Sequence, residues 1–453
     1  MKDKPVSLSI HQHLIETGFV FPGSQIYGGL ANAWDYGPLG VSLIGQLKKL
    51  WWNFFVTRQP NVYGLDSKIL MNPQVWKVSG HVENFQDLYV ENKLNQKRYR
   101  VDVLLEQIDP NQNWQSQSQA QIEKFLKEKV TEWEGQKALW GEIRQFNLMF
   151  ETDQGVVSDE KSRIFLRPEL AQGIFINYKN VSRSMRAELP FGIAQIGRSF
   201  RNEITPRNFI FRTREFEQME LEWFCEPSQA EQFFHEYQVL IKQFLNSLGL
   251  DRERWRWREH AAHELAHYAK KTVDVEFNFS FGWGEIIGLA NRGDYDLKKH
   301  SQASQVDFAT TLPGQSEKIY PFVIEPSFGV DRLVLAVLEN GFTREKLADQ
   351  SERIILKLSK DLAPYQIAVL PLVKKVHGQV AQKLYQELLS QGYRCTYDQS
   401  GSIGKRYRRQ DAIGTPICLT VIDQTKSEGQ VTLRERDTMK QITIMYKNIK
   451  NHV

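Results

Sequence analysis

The spacing of apolar positions changes several times along this chain, and each change marks an element. Between residues 41 and 56, Leu43, Leu47, Leu50, Trp51, Phe54 and Phe55 recur at helical intervals behind a turn at Gly37-Pro38-Leu39-Gly40. Gln, Asn and Ser crowd residues 106–121, which read as a loop, and Ile122, Phe125, Leu126 and Val130 then predict a helix within an insertion. Residues 190–203 and 214–226 read as strands. In the second, Met219, Leu221 and Trp223 take one face while Phe216, Gln218, Glu220 and Glu222 take the other. In the first, Arg201 and Glu203 share a face with Gln195 and Ser199. Two strands with polar inner faces, joined by a loop carrying Arg207, Arg212 and Arg214, point to a site rather than to packing.

A further strand is expected at 319–324, followed by a turn at 326–329. A helix then places Val330, Leu333, Val334, Val337 and Leu338 on one stripe and stops at Gly341. Residues 343–363 form a charged connector. Beyond it the pattern reads strand (Ile367–Leu370), helix (Val376, Val380, Leu384 and Leu388 inward), strand (Tyr393–Tyr397), helix (Ile403–Ile413) and strands at Pro416–Ile422 and Val431–Arg436. Strands alternating with helices imply a small α/β unit.

Composition adds bounds. The length of 453 residues predicts two or three domains, and 41% hydrophobic with 25% charged residues is ordinary for a folded chain. No apolar run approaches the ~18 residues of a spanning helix, so no membrane segment is expected. The opening Met1-Lys2-Asp3-Lys4-Pro5 lacks the apolar core of a secretory signal. Cys225, Cys395 and Cys418 are few, odd in number and far apart, which suggests neither a disulfide framework nor a zinc knuckle. A cytoplasmic location is the expectation. Residues 361–453 hold 14 Lys/Arg against 8 Asp/Glu, a balance of +6 in a chain whose total is +4. The positive excess at that end suits contact with a polyanion, or simply a solvated basic face.

The chemistry concentrates in two segments. Gly197-Arg198-Ser199-Phe200-Arg201-Asn202-Glu203 runs through a loop into Phe211-Arg212-Thr213-Arg214-Glu215-Phe216-Glu217-Gln218-Met219-Glu220, and Ile324-Glu325-Pro326-Ser327-Phe328-Gly329-Val330-Asp331-Arg332 follows later. Fixed positive charges beside carboxylates are what a site needs to hold a triphosphate and an ammonium side by side. Activation of an amino acid by ATP is the commonest reaction of that kind. Arg332 falls in the first turn of its helix, which is unfavourable against the helix dipole unless an anion binds there.

These residues carry a resemblance. The strand–loop–strand resembles the second motif of class II aminoacyl-tRNA synthetases, Gly329-Val330-Asp331-Arg332 the third, and Gly37-Pro38-Leu39-Gly40 with its helix the first. Arg167-Pro168-Glu169-Leu170-Ala171-Gln172-Gly173, Ile204-Thr205-Pro206-Arg207 and Gly401-Ser402-Ile403-Gly404-Lys405-Arg406-Tyr407-Arg408-Arg409-Gln410-Asp411 look like the homodimeric glycyl-tRNA synthetases, from about Phe19 to Thr438. The resemblance implies an α+β fold: an antiparallel-sheet catalytic domain over 1–350 with an insertion at about 75–150, and an α/β anticodon-binding domain over 361–453. It implies ATP and magnesium, glycine, tRNA(Gly) and a second copy of the chain as partners.

It also implies roles. ATP would meet Arg201, Asn202, Glu203, Phe211, Arg212, Thr213, Arg214, Glu215, Phe216, Glu285, Ile286, Gly329, Val330, Asp331 and Arg332. Among these, Arg201 would bind the α-phosphate, Arg332 the γ-phosphate, Phe216 the adenine, and Glu285 the magnesium ion. Glycine would meet Arg100, Glu169, Phe216, Glu217, Gln218, Met219, Glu220, Glu325, Pro326, Ser327, Phe328 and Gly329, with Glu169, Glu220 and Glu325 around the ammonium. Lys405, Arg406, Arg408 and Arg409, flanking Tyr407, would contact tRNA.

Two alternatives compete. His263-Glu264-Leu265-Ala266-His267 fits the zinc-protease pattern, with His260 nearby and Glu285 as a third ligand. A five-residue pattern arises readily by chance, and a helix beside the catalytic core is the preferred reading. A non-catalytic relative, such as an accessory subunit of a DNA polymerase, would be expected to lack Arg201, Arg332, Glu169 and Glu325, all present here. Many bacterial relatives carry cysteine pairs in the insertion, where this chain reads Asn92-Lys93-Leu94-Asn95 and Leu139-Trp140-Gly141-Glu142. No structural zinc is therefore expected, and the insertion must be held by packing.

Overall fold

The computed structural model describes residues 9–452 apart from 110–111, 113, 115–116, 156–161, 205, 262–264, 267, 313, 315 and 348–349. Seven strands form the larger sheet: β1 (Val62–Gly64), β2 (Phe191–Phe200), β3 (Glu215–Cys225), β4 (Trp255–Glu259), β5 (Lys271–Phe279), β6 (Gly282–Gly293) and β7 (Phe322–Gly329). Their order is β4-β5-β6-β7-β3-β2-β1, antiparallel throughout except where β1 lies parallel to β2. Five helices surround it: α1 (Pro38–Trp52), α2 (Ala171–Met185), α3 (Ala230–Ser247), α4 (Tyr295–Ser304) and α5 (Val330–Gly341).

The helix of the first motif starts earlier than its apolar stripe suggests. Pro38 occupies the first turn of α1, where its fixed φ is already helical and no N–H is needed. Leu43, Leu47, Trp51 and Phe55 are buried, and Trp51, Phe55 and the α3 residue Phe244 gather around Phe328 of β7 at 5.7, 4.9 and 5.7 Å between ring centroids. This is the core face of the sheet, shared by Met219 and Leu221. On the opposite face, Phe224 meets Phe175 and Tyr178 of α2 at 6.4 and 4.7 Å. Further along that same face come Glu222, Glu220 and Gln218, so the helices cover one end of the row and the cavity opens over the other.

The expected turn at Pro326–Gly329 is instead continuous strand. Pairing of β3 with β7 runs through Glu220↔Ser327 and Trp223↔Ile324 but skips the two positions between, where Pro326 has no N–H to give. Proline's local signal misleads here because the sheet tolerates it at a gap in the ladder. Close approach governs Gly197: a Cβ there would collide with the Arg167 guanidinium, which lies across β2 and donates to the carbonyls of Arg198 and Ser67, each at 2.7 Å.

Within the insertion, strands Gln86–Asn92, Lys97–Arg100 and Arg144–Asn147 form a small sheet against helices Val101–Ile108 and Gln119–Lys129. The expected loop at 106–121 thus loses both ends to helix. Asn92 is fully buried, and its Oδ1 accepts from the amides of Leu94 (3.1 Å) and Leu139 (3.0 Å), joining the segments 92–95 and 139–142. Val90, Leu104, Leu126 and Trp140 pack beneath it.

After α5 the charged connector contains a hairpin, Phe342–Lys346 with Glu352–Leu356. The second sheet comprises β8 (Ile367–Pro371), β9 (Cys395–Tyr397), β10 (Ile417–Val421), β11 (Gln430–Glu435) and β12 (Gln441–Met445), in the order β9-β8-β10-β11-β12. Helices α6 (Lys374–Ser390) and α7 (Ile403–Ile413) accompany it. On α6 the inward stripe is His377, Ala381, Leu384 and Leu388, which turns Val376 out to 63% exposure. Buried Asp411 of α7 accepts from Arg353 of the hairpin at 3.0 Å and from both Arg434 nitrogens of β11 at 2.8 and 2.9 Å.

Candidate active site

The polar row on β3 and its neighbour β7 builds an acidic cup. Glu220 Oε2 accepts from the Leu170 amide at 2.9 Å, and Oε1 from Ser327 Oγ at 2.9 Å and Gln218 Nε2 at 2.7 Å. Glu325 accepts from Arg292 Nη1 at 3.0 Å, while Arg292 Nε donates to Asp296 at 2.8 Å and its guanidinium lies 3.8 Å from the centre of the Tyr268 ring. Glu169, beside them, accepts from Gln172 and meets His81 Nε2 of the insertion at 3.2 Å. Burial, with Glu325 and Glu169 close by, pushes Glu220 up to about 8. Burial would raise Glu169 too, but His81 and then Arg292 outweigh it and hold that carboxyl below its usual range. Glu169, Glu325 and Asp296 are buried around the one Arg292 guanidinium and leave an excess of negative charge, which a cationic ligand would balance.

The arginines stand at the other end. Arg201 donates to the Pro168 carbonyl at 3.2 Å and lies between the rings of Phe85 and Phe216, 5.3 and 5.4 Å from their centres. Arg332, two residues inside α5, turns back to the sheet and rests on Phe211 at 4.6 Å. Its neighbour Asp331 accepts from Tyr36 Oη (2.6 Å) and the Glu217 amide (2.9 Å), which fixes the start of the helix. One cavity of about 290 Å³ connects the two ends, lined by Glu169, Glu220, Glu325, Ser327 and Gln218 at one end and by Arg201, Glu203, Arg212, Thr213, Phe216, Glu285 and Arg332 at the other. Phe211, Glu217, Gly329 and Asp331 complete the wall.

Several expected contacts are placed elsewhere. Met219, Phe328, Val330 and Ile286 face the apolar core, because strand and helix periodicity turns them away from their polar neighbours. Pro326 lies on the same buried side. The Asn202 amide bonds the Leu148 carbonyl, Arg214 donates to the Glu203 carbonyl, and Glu215 pairs with Arg198 outside the cavity. Arg100 is taken up by Asp87 (3.1 Å) and Asp102 (2.6 Å) and lines a separate basic cleft with Arg98, Arg207 and Arg212. Arg406 points inward on α7, only 3% exposed, and donates to the carbonyls of Pro371 and Leu372; Arg409 pairs with Asp398 at 2.6 Å. Tyr407 is half-buried, bonded to Thr420 Oγ1 and covered by Arg434. Lys405 is exposed and Arg408 half-buried, so the basic surface is smaller than the sequence suggests.

Sequence reasoning does not single out Arg292, Asp296, His81 or Gln172. An arginine and an aspartate four apart is the one local signal for the first pair. Of the zinc-protease pattern, His263, Glu264 and His267 lie outside the described residues, as does Thr205 of the motif loop. His260 extends strand β4 through its amide bond to Thr272, contrary to the expected helix, and pairs with Asp274 at 2.6 Å.

Comparison with known proteins agrees with this geometry. Residues 150–341 match the family described as tRNA synthetase class II core domain (G, H, P, S and T), and residues 366–453 match the anticodon binding domain. The glycine–tRNA ligase of Mycoplasmopsis synoviae is 52% identical over 442 residues, spanning 98% of each chain. That of Mycoplasma capricolum is 51% identical over 97% of this chain and 96% of its own. That of Geobacillus thermodenitrificans is 49% identical over 97% and 95%. A solved structure described as the RNA binding domain of threonyl-tRNA synthetase from Cryptosporidium parvum superposes with a TM-score of 0.66 at 16% identity, covering 98% of this chain and 97% of that one, a likeness of fold.

Proposed function

Because the chain belongs to the glycine–tRNA ligase family, with a class II synthetase core and an anticodon-binding domain, we propose that the cavity joining the arginines to the acidic cup is where glycine is activated by ATP. The protein attaches glycine to tRNA through a glycyl-adenylate. A glycine carboxylate oxygen bonds to the α-phosphorus as the bond to the departing pyrophosphate oxygen breaks. A ribose hydroxyl at the 3′ end of tRNA then takes the glycyl group and AMP leaves.

In this reading Arg201 meets the α-phosphate and the charge that develops there, Arg332 meets the γ-phosphate, and Phe216 stacks on the base. The protein supplies no nucleophile; it aligns and neutralises, which is most of catalysis in this chemistry. Glu285 and Asp274 present carboxylate oxygens to the same cavity, the donor type magnesium takes. There the ion would neutralise charge on the ATP phosphates. Glu169, Glu220 and Glu325 stand around the ammonium. Larger amino acids are refused by overlap, since forcing in extra methylenes costs ~1–3 kcal/mol. Ile26, Tyr27, Leu30 and Val41, exposed at 87, 87, 66 and 61% beside α1, suit a homodimer interface, which light scattering would test.

The observation that carries the reading is the single cavity with guanidinium groups at one end and buried carboxylates at the other. Glycine-dependent ATP–pyrophosphate exchange, with alanine and serine as controls, tests it. No exchange with glycine, or equal exchange with alanine, would overturn it. No observation favours the non-catalytic reading.

A further inference from the structure

Glu222 lies on β3 two residues beyond Glu220, on the same face and one step deeper. It is fully buried, and both of its carboxylate oxygens lack a hydrogen-bond partner among the described residues. A buried carboxylate with neither oxygen satisfied is costly, and such a group in a folded protein awaits a donor. By contrast Glu220 and Glu325 have the donors already described. One oxygen each from Glu220, Glu222 and Glu325 lie within 4.8 Å of one another. Three points so placed share a location no more than about 2.8 Å from each (4.8 Å divided by √3), the length of an N–H⁺···O⁻ bond.

Resting on the assignment of the acidic cup to the glycine ammonium, we propose that Glu222 is a third direct acceptor for that ammonium, completing a three-carboxylate seat for its three N–H groups. The substrate supplies the donor that Glu222 lacks. Burial, then the nearness of Glu325, raises Glu222 well above the usual carboxylate range, as expected of a group whose cation has yet to arrive. The seat also bears on selectivity. The Cα atom follows its nitrogen at ~1.5 Å, so an ammonium drawn this deep brings Cα against the sheet. A Cβ would then be pressed into the wall formed by Glu220 and Ser327.

The test compares Glu222→Gln and Glu222→Met with Glu220→Gln in glycine-dependent pyrophosphate exchange. The expected result for both Glu222 variants is a KM for glycine raised about tenfold or more, a KM for ATP within about twofold, and a melting temperature not lowered. Glu222→Met, apolar and of similar length, guards against a folding defect peculiar to the amide. A glycine KM within about twofold of the parent in both variants, while Glu220→Gln raises it, would overturn the inference and leave the cup standing. An unchanged glycine KM in all three would remove the cup itself. Parallel rises in both KM values with a lowered melting temperature would make Glu222 a packing residue and overturn the inference.

Discussion

Arg332 and Glu285 hold each other at 3.0 Å across the cavity, with the same arginine nitrogen also donating to the Glu285 backbone carbonyl. Their side chains are 25% and 47% exposed, so the pair contributes little to folding, on the order of 0–1 kcal/mol. The guanidinium is thus aimed and easily exchanged for a phosphate. Arg332→Ala is expected to lower kcat/KM for ATP by about 10²-fold or more with an unchanged melting temperature. Pyrophosphate exchange and a thermal melt measure both.

Among the described residues the Arg201 side chain pairs with no carboxylate; its contacts are a carbonyl and two aromatic faces. Arg201→Ala should therefore cost little stability yet reduce adenylate formation by about 10²–10³-fold, chiefly in kcat. Unchanged single-turnover adenylation would take Arg201 out of the chemistry.

Glu220 titrates at about 8, whereas an unfolded glutamate titrates near ~4.3. The folded chain keeps a proton that the unfolded chain has released, so this contribution is complete below about pH 4 and is lost as pH rises toward 8. Melting temperatures of the ligand-free protein should fall over that range. Glu220→Gln should flatten the profile, and a slope identical to the parent's would contradict the assignment.

On α7, neighbouring arginines should separate cleanly. Arg406→Ala leaves two carbonyls without their donor and is expected to destabilise the C-terminal sheet by ~1–3 kcal/mol. Lys405→Ala, on the exposed side, should instead raise KM for tRNA while sparing glycine activation. Denaturant melts and charging assays distinguish the two.

Asn92→Ala removes the acceptor shared by two segments of the insertion. A loss of ~1–3 kcal/mol confined to that unit is expected, seen as faster proteolysis within 86–147 and unaltered protection of β2 and β3.

Strands β2 and β3 were legible because alternation between an apolar and a polar face survives even where both are buried. The same alternation separates Glu220 from Met219 on adjacent residues, something motif matching alone blurs. What escaped were partners remote in sequence: His81 reaching Glu169 from the insertion, and Arg292 reaching Glu325 across the sheet. No local pattern encodes those. Pro326 misled because its turn preference ignores the gap in the ladder, and the basic run of α7 because charge counts ignore which face a residue takes. Ile403, Arg406, Gln410 and Ile413 at intervals of three and four do mark the inward stripe.

Asp411 joins a helix of the anticodon side to a hairpin that springs directly from α5, the helix bearing Arg332. Tilting that helix would strip buried Arg434 of its carboxylate and Arg353 of one of its two, at a cost no loose hinge could absorb. An RNA gripped at one extremity is therefore presented to a frame already stiffened as far as the catalytic arginine.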